Sequence, residues 1–156
     1  MEIKFTLNGT EYIRDIRADM RALDFIRDEM KMKSVKEGCG EGECGACTVL
    51  LNGDAVCSCL LFAGELDGKV IMTSEGLGTP DDMHPIQKAF VDEGGVQCGF
   101  CTPGFILSTK ALLDKNPDPT EEEIKKALEG NLCRCTGYQK IIDSVKLAAK
   151  LVRESN

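Results

Sequence analysis

The sequence lacks the features that mark membrane, secreted and nucleic-acid-binding proteins. No apolar run approaches the roughly 20 residues that a membrane-spanning helix needs. The start, MEIKFTLNG, alternates apolar and polar residues and has neither the basic nor the apolar region of a signal peptide. The net charge is −7 and no basic stretch occurs, so nucleic acids and anionic membranes are poor partners. We therefore expect a cytoplasmic protein that neither binds nucleic acid nor inserts into a membrane.

Catalytic motifs are scarce as well. His84 is the single histidine, and an isolated histidine has no partner group with which to perform acid–base catalysis. No G-x-S-x-G motif, P-loop or G-x-G-x-x-G motif follows a predicted strand. We therefore expect His84 to be a loop or cap residue, and we expect no catalytic residue in this chain.

Cysteine, in contrast, is abundant, with nine among 156 residues. Because the cytosol keeps thiols reduced, cysteine clusters there are more often metal ligands than disulfides. Eight of the nine form two sets, one with the plant-type ferredoxin spacing C-x4-C-x2-C and a distant fourth cysteine, the other reading C-x2-C-x31-C-x-C. The first set is Cys39, Cys44, Cys47 and Cys59, with Cys57 spare, and the second set is Cys98, Cys101, Cys133 and Cys135.

Each set supplies what a [2Fe–2S] cluster needs, which is four converging thiolates, two on each iron. The loop 38–47 is rich in glycine, which permits positive φ and a close approach of the backbone. Its N–H groups are then free to donate to the sulfurs and raise the reduction potential. The second set lies where the chain enters or leaves predicted helices, and a helix N-terminus favours a thiolate. Two clusters with little other reactive chemistry indicate an electron carrier.

Spacing alone leaves two alternatives open. The second set also suits a four-cysteine zinc site, as in a zinc-binding adaptor. In the first set, Cys57 and Cys59 alternate on a predicted strand, and residues i and i+2 of a strand point to the same face. By spacing alone, either cysteine is therefore an acceptable fourth ligand.

The first half of the chain has the pattern of a small β-rich domain. Asn-Gly pairs at 8–9 and 52–53 separate alternating segments, which is a strong hairpin signal. The second of these hairpins is predicted to pair Thr48–Leu51 with Ala55–Cys59. Apolar residues at helical spacing predict a helix over 23–30, and a short closing strand follows at Val70–Thr73. Strands, one helix and a cysteine loop together predict a β-grasp, plant-type ferredoxin-like domain.

The second half has the pattern of four helices. Their predicted signals are Pro85 at a first turn, Thr102-Pro103 at a second, a capping box of Thr120 with Glu123 at a third, and the apolar stripe Ile141, Val145, Ala148 and Val152 on a fourth. Four helices of this length suit a small bundle. We therefore predict an α+β protein with a ferredoxin-like domain at 1–75 and a four-helix bundle domain at 76–156.

Three stretches together resemble one protein family. The residues GCGEGECGACTVL at 38–50, QCGFCTPG at 97–104 and GNLCRCTGY at 130–138 resemble the iron–sulfur subunit of the molybdenum hydroxylases. That family includes xanthine dehydrogenases, aldehyde oxidoreductases, aerobic-type CO dehydrogenases, nicotinate dehydrogenase and 4-hydroxybenzoyl-CoA reductase. The resemblance covers nearly the whole chain, with both cysteine signatures in order.

The resemblance implies roles for particular residues. The fourth ligand of the plant-type cluster in such proteins is a cysteine followed by leucine, which corresponds to Cys59-Leu60 and leaves Cys57 spare. The glutamine before the first helical-domain cysteine, and the last cysteine of C-R-C, touch the pterin in relatives. Gln97 and Cys135 occupy these positions.

The resemblance also implies partners and a direction of electron flow. A large partner subunit would bind molybdopterin, expected as the cytosine dinucleotide, and a medium subunit would bind FAD. Electrons would pass from molybdenum through the helical-domain cluster and then the ferredoxin-like cluster to FAD or another acceptor. In 4-hydroxybenzoyl-CoA reductase-like members the flow is reversed. A free-standing ferredoxin-like carrier is the alternative from another class, although such a carrier needs only the first domain.

Overall fold

The computed structural model describes residues 1–156 and contains one mixed sheet of five strands. The strand order is β2-β1-β5-β3-β4, and only the pairing of β1 with β5 is parallel. The strands are β1 (Glu2–Leu7), β2 (Thr10–Asp15), β3 (Thr48–Leu51), β4 (Asp54–Cys57) and β5 (Val70–Met72). The parallel pair joins the N-terminal hairpin to the rest of the sheet.

Both predicted hairpins are confirmed. Asn8 and Gly9 have φ values of 49° and 83°, and Asn52 and Gly53 have φ values of 52° and 91°. Two consecutive residues with positive φ form the tight turn whose twist matches antiparallel strands. The Asn-Gly pairs therefore set the register of both hairpins.

The predicted helix over 23–30 differs from the expectation in its geometry. A single α-helical turn, α1 (Ala22–Asp24), continues as a π-helical turn over Phe25–Glu29. Phe25 packs edge-on against Phe5 of β1 at a ring separation of 5.5 Å. The wider turn ends before Lys31, whose φ is 63°. This element buries its apolar side chains against one face of the sheet.

The predicted strand Ala55–Cys59 is wrong at its end. Strand β4 stops at Cys57, and Ser58–Leu60 form a 3-10 turn. The Ser58 hydroxyl donates to the carbonyl of Cys47 at 2.7 Å, which holds this turn against the cysteine loop. Because Cys59 is not on the strand, the alternation argument that placed Cys57 and Cys59 on one face does not apply.

The second half consists of four helices, three of which begin at the predicted start signals, while the fourth carries the predicted apolar stripe. Pro85 occupies the first turn of its helix, and Thr120 with Glu123 forms the predicted capping box. The helices are α2 (Pro85–Asp92), α3 (Thr102–Lys115), α4 (Glu121–Ala127) and α5 (Gln139–Ser155). No helix is both long enough and apolar enough to span a bilayer.

Each half has its own hydrophobic core, and helix α3 joins them. Strand β3 is buried on both faces, because Val49 points into the core of the first half while Leu50 packs against Leu107 and Ala111 of α3. This contact places the N-terminal end of α3, with the loop before it, next to the cysteine loop of the first half.

Candidate metal centres

The first cysteine set is brought together from two segments. Cys39, Cys44 and Cys47 lie in the loop between the π-helical turn and β3, and Cys59 lies in the 3-10 turn after β4. Cys39 is exposed, whereas Cys47 and Cys59 are only 3% and 7% exposed. Burial thus increases from the outer to the inner side of the set. Glycines with positive φ bend the loop at Gly40, Gly42 and Gly45.

Backbone N–H groups of this loop point at the sulfurs. The N–H groups of Glu41, Glu43 and Cys44 donate to Cys39 Sγ at 3.3, 3.3 and 3.4 Å. These donors lower the pKa of Cys39 to about 7. Cys44 Sγ accepts from the N–H groups of Cys39 and Ala46 at 3.3 and 3.5 Å. The loop therefore stabilises thiolate charge as the glycine-rich sequence predicted.

The inner thiols influence each other. Contact with the Cys57 thiol lowers the pKa of Cys47 to about 5, and the same contact raises the pKa of Cys57. Burial, and then contact with the neighbouring Cys47, raise the pKa of Cys59 to about 11. Cys57 Sγ also donates weakly to the Gly42 carbonyl at 3.6 Å. The structure thus places the spare thiol beside the first set and not away from it.

The second cysteine set surrounds one opening on the surface. Cys98 and Cys101 lie between α2 and α3, with Cys101 at the N-cap of α3, while Cys133 and Cys135 lie between α4 and α5. Cys98 Sγ and Cys135 Sγ are 3.7 Å apart. All four cysteines line a cavity of about 430 Å³, together with Phe100, Leu132, Arg134 and Tyr138.

The protonation preferences of the second set differ from its inner to its outer side. Burial raises the pKa of Cys101 to about 12. Burial also acts on Cys133, but donation from the hydroxyl and N–H of Thr136 outweighs it and lowers the pKa. The Phe100 N–H lowers the pKa of Cys98, and contact with Cys98 raises that of Cys135.

The arrangement suits a cluster better than a single ion. The thiols of the second set meet in two pairs, Cys98 with Cys135 and Cys101 with Cys133. A [2Fe–2S] cluster needs only two thiolates at each iron. A Cβ on Gly38 would lie 2.7 Å from Cys44 Sγ, so the loop is shaped around its sulfurs. The residues present fit a [2Fe–2S] cluster at each set.

The two sites meet at a hydrogen-bonded junction. The Leu132 N–H, next to Cys133, donates to the carbonyl of Cys44 at 2.9 Å. Asn131 is 4% exposed and donates to the Gly45 carbonyl at 3.3 Å. Its Oδ1 accepts the hydroxyl hydrogen of Ser108 at 2.7 Å. One backbone hydrogen bond therefore joins Cys44 of the first set to the residue that precedes Cys133 of the second set.

Close approach at this junction depends on glycine. A Cβ on Gly45 would lie 2.3 Å from the Gly130 carbonyl, and a Cβ on Gly104 would lie 2.4 Å from the Gly45 carbonyl. Sequence reasoning assigned no role to Asn131 or Gly104, because their partners lie far away in the chain. Their presence in the motifs GNLCRC and CTPG was the only available signal.

Gln97 and Cys135 lie on the open side of the second set. Both residues are exposed, and Gln97 directly precedes Cys98, whose sulfur contacts that of Cys135. His84 is at neither site. Its Nδ1 accepts from the Ile86 N–H at 3.2 Å and caps α2, as predicted for a cap residue.

Comparison with known proteins agrees with this geometry. A family model described as a 2Fe-2S iron-sulfur cluster binding domain matches residues 5–73, and a [2Fe-2S] binding domain model matches residues 73–146. The chain is 51% identical to the nicotinate dehydrogenase small FeS subunit of Eubacterium barkeri, over 95% of this chain and 94% of that subunit.

Solved structures show the same architecture. The chain superposes on quinoline 2-oxidoreductase from Pseudomonas putida 86 with a TM-score of 0.93 and 36% identity, covering 99% of this chain and 96% of that one. It superposes on aldehyde oxidoreductase from Desulfovibrio gigas with a TM-score of 0.96 and 42% identity, covering all of this chain but 18% of that one. The same fold thus occurs as a separate chain and as part of a longer one.

These matches confirm the ferredoxin-like iron–sulfur domain followed by a helical iron–sulfur domain, and they exclude the zinc adaptor. They also confirm the predicted kind of protein, an electron-transfer subunit of an oxidoreductase. The chain belongs to the iron–sulfur subunits of the molybdenum hydroxylase family and binds two [2Fe–2S] clusters.

Proposed function

We propose that this chain transfers electrons between a molybdenum centre in a large partner subunit and a flavin or other acceptor, using its two clusters in series. The observation that carries the serial order is the hydrogen bond from Leu132 N–H to the carbonyl of Cys44. It joins a neighbour of Cys133 in the second set to a member of the first set. A [2Fe–2S] cluster supplies one-electron chemistry at each set, and the protein supplies the short connection between them.

The proposed ligands are the two sets predicted from the sequence. Cys39, Cys44, Cys47 and Cys59 hold the ferredoxin-like cluster, and Cys98, Cys101, Cys133 and Cys135 hold the helical-domain cluster. Cys57 is the spare thiol. Cys57 lies beside Cys47 and is therefore near enough to serve as the fourth ligand instead of Cys59. The choice of Cys59 rests on the resemblance and on the greater burial of Cys59.

The ligand assignment is tested by a pair of matched variants. We expect Cys57→Ser to keep about four irons per chain and Cys59→Ser to keep about two, since each cluster has two irons. Iron and acid-labile sulfide analysis of the full chain measures both. Loss of iron in Cys57→Ser with retention in Cys59→Ser would reassign the fourth ligand.

The molybdenum-facing side is proposed to be the open edge of the second set. Gln97 and Cys135 are exposed there, and we propose that they contact a pterin bound by the large subunit, expected as the cytosine dinucleotide. Phe100 and Leu132 are about half exposed beside them, at 47% and 55%. Exposed apolar side chains around a cofactor opening suit a surface that a partner covers.

The flavin-facing side is proposed to be the outer part of the loop Glu41–Ala46, where Glu41 and Glu43 are exposed, with the turn beside it. Leu60, which lies against Gly42 of this loop, is 62% exposed, and Phe62 two residues later is 55% exposed. Glu41 and Glu43 are exposed and form no ion pair within the chain. An apolar centre with an acidic rim favours an FAD-binding medium subunit with basic residues at its contact surface.

The order of the clusters is tested by Cys135→Ala in the assembled complex. If transfer is serial, this variant keeps substrate binding at the large subunit, and its ferredoxin-like cluster stays oxidised when substrate is added. Cys57→Ser is the matched control and keeps normal reduction. Reduction of the ferredoxin-like cluster at a normal rate without the helical-domain cluster would contradict the order. Nicotinate is the first substrate to try, because the 51% identical relative is a nicotinate dehydrogenase subunit.

The domain boundary, the cellular location and the direction of electron flow belong to the same proposal. The separate cores support a boundary between domains at 1–75 and 76–156, the second being a four-helix bundle. The cytoplasmic location stays a prediction. Reversed electron flow, as in 4-hydroxybenzoyl-CoA reductase, is the alternative direction within the same arrangement.

A further inference from the structure

The loop between α4 and α5 forms a closed circuit of hydrogen bonds around Cys133. The Cys133 N–H donates to the Tyr138 hydroxyl at 3.0 Å. The Tyr138 N–H donates to Thr136 Oγ1 at 3.3 Å. The Thr136 hydroxyl then contacts Cys133 Sγ at 3.1 Å, and the Thr136 N–H lies 3.4 Å from the same sulfur. Each of the three residues thus contacts both of the others.

The direction of the Thr136 hydroxyl follows from this circuit. A hydroxyl has one hydrogen and two lone pairs. A lone pair of Thr136 Oγ1 accepts from Tyr138 N–H, and a deprotonated Cys133 sulfur is able only to accept. The single hydroxyl hydrogen is therefore directed at Cys133 Sγ.

Tyr138 is held in the conformation that this circuit needs. Its φ is +72°, which is a costly value for a residue with a large side chain. Its ring packs edge-on against Phe105 at a centroid separation of 6.4 Å, and Phe105 is fully buried in α3. The packing of α3 thus maintains the backbone position from which Tyr138 N–H reaches Thr136.

We propose that Thr136 is a positioning residue that raises the reduction potential of the helical-domain cluster by donating its hydroxyl hydrogen to the Cys133 thiolate. This rests on the proposed role of Cys133 as a ligand. One-electron reduction adds negative charge to the cluster and its thiolates without adding a proton. A donor at a ligand sulfur therefore binds the reduced form more tightly than the oxidised form.

The hydroxyl is separable from the rest of the loop by substitution. Thr136→Val keeps the shape and the backbone N–H but removes the hydroxyl, while Thr136→Ser keeps the hydroxyl. We expect Thr136→Val to shift the one-electron equilibrium of the helical-domain cluster about tenfold toward the oxidised form, which is about 59 mV. Thr136→Ser should restore the potential of the unmodified chain.

The measurement is a mediated redox titration of the full chain followed by electron paramagnetic resonance. The signal that Cys133→Ala removes identifies the helical-domain cluster, and the ferredoxin-like cluster in the same molecule is the internal control. A Thr136→Val potential equal to that of the unmodified chain would overturn the inference. An equal decrease of the reduction potential in Thr136→Ser would also overturn it, because packing and not the hydroxyl would then be responsible.

Loss of cluster assembly and failure of the ligand assignment are distinguishable from failure of the Thr136 inference. If Thr136→Val does not assemble the cluster, Thr136→Ala is titrated instead, and failure of both would show that the hydroxyl serves assembly and not potential. If Cys133→Ala keeps both signals, the ligand assignment is wrong. That result differs from the failure of the Thr136 inference, in which both signals are present in Thr136→Val and neither potential moves.

Discussion

Single glycines determine whether the cysteine loop can place its sulfurs. Gly38 precedes Cys39 and lies where a Cβ would come within 2.7 Å of Cys44 Sγ. Real Cβ atoms do not approach sulfur this closely, so the loop would have to shift. A shift would also disturb the N–H groups of Glu41 and Glu43, which donate to Cys39 Sγ. One added methyl group therefore acts on several contacts at once.

Substitution of Gly38 by alanine is expected to remove the ferredoxin-like cluster. The iron content should fall from about four to about two per chain, with the helical-domain cluster retained. Gly130→Ala is the matched control, because a Cβ there meets no atom within 4 Å. Iron analysis and visible circular dichroism measure both variants. Full iron content in Gly38→Ala would show that the loop adapts without loss.

At the scale of secondary structure elements, helix α2 depends on a titratable cap. His84 Nδ1 accepts from the backbone N–H of Ile86, and the backbone N–H of His84 donates to Gln87 Oε1 at 3.0 Å. Burial, and then the positive charge of Lys110, lower the pKa of His84 below 6.5, while Asp114 opposes them. The cap therefore requires the neutral imidazole.

The free energy of unfolding is expected to decrease as the pH is lowered through the titration of His84. Because the pKa is lower in the folded chain, the unfolded chain binds the proton first. The stabilising contribution is complete above about pH 6.5 and is lost as the pH falls through the folded-state pKa. We expect the urea midpoint to decrease more between pH 7.5 and 5.5 in the unmodified chain than in His84→Asn, which caps without titrating. Equal decreases in both chains would exclude this role.

At the scale of the whole molecule, a few buried contacts hold the two halves together. Helix α3 packs on β3 through Leu107 and Leu50, and Lys115 of α3 pairs with Asp54 at 2.5 Å. That pair is exposed and contributes little. Asn131 is buried in the junction, where it contacts Ser108, Gly45 and Thr48. A buried amide with several partners determines relative position more precisely than apolar contact does.

Removal of the Asn131 amide is expected to weaken both stability and the coupling between the clusters. Asn131→Ala leaves buried partners unsatisfied, which costs about 1–3 kcal/mol. The magnetic interaction between the two reduced clusters should also decrease, because the loops that hold Cys44 and Cys133 are then free to separate. Urea unfolding and electron paramagnetic resonance measure the two effects. Asn116→Ala is the control, since its side chain lies away from the junction, where it contacts the Asp118 N–H and Glu123.

An unchanged magnetic interaction in Asn131→Ala, with both clusters present, would contradict the expectation for the junction. The backbone hydrogen bond from Leu132 to Cys44 would then be enough to hold the two loops. A lower unfolding free energy alone would show a structural role without a role in coupling.

Features set by neighbours in the chain were predictable. The Asn-Gly turns, the capping box at Thr120 and the proline at the start of α2 all appear where expected, because a few consecutive residues determine them. The end of β4 was not predictable in this way. Cys57 ends the strand because Ser58 bonds to Cys47, eleven residues earlier, and no local pattern reports such a contact.

The sequence by itself determined which residues are the candidate ligands, because cysteine spacing restricts them to two sets, and its resemblance to one family favoured iron–sulfur clusters over zinc. It also determined that one half is a sheet and the other is helical, because these depend on periodicity along the chain. Only the tertiary structure decided how the sets are connected. The contact of Leu132 with Cys44, the burial of Asn131 and the circuit through Thr136 and Tyr138 depend on α3 packing against β3 and α5. Residues distant in sequence meet only when that packing forms.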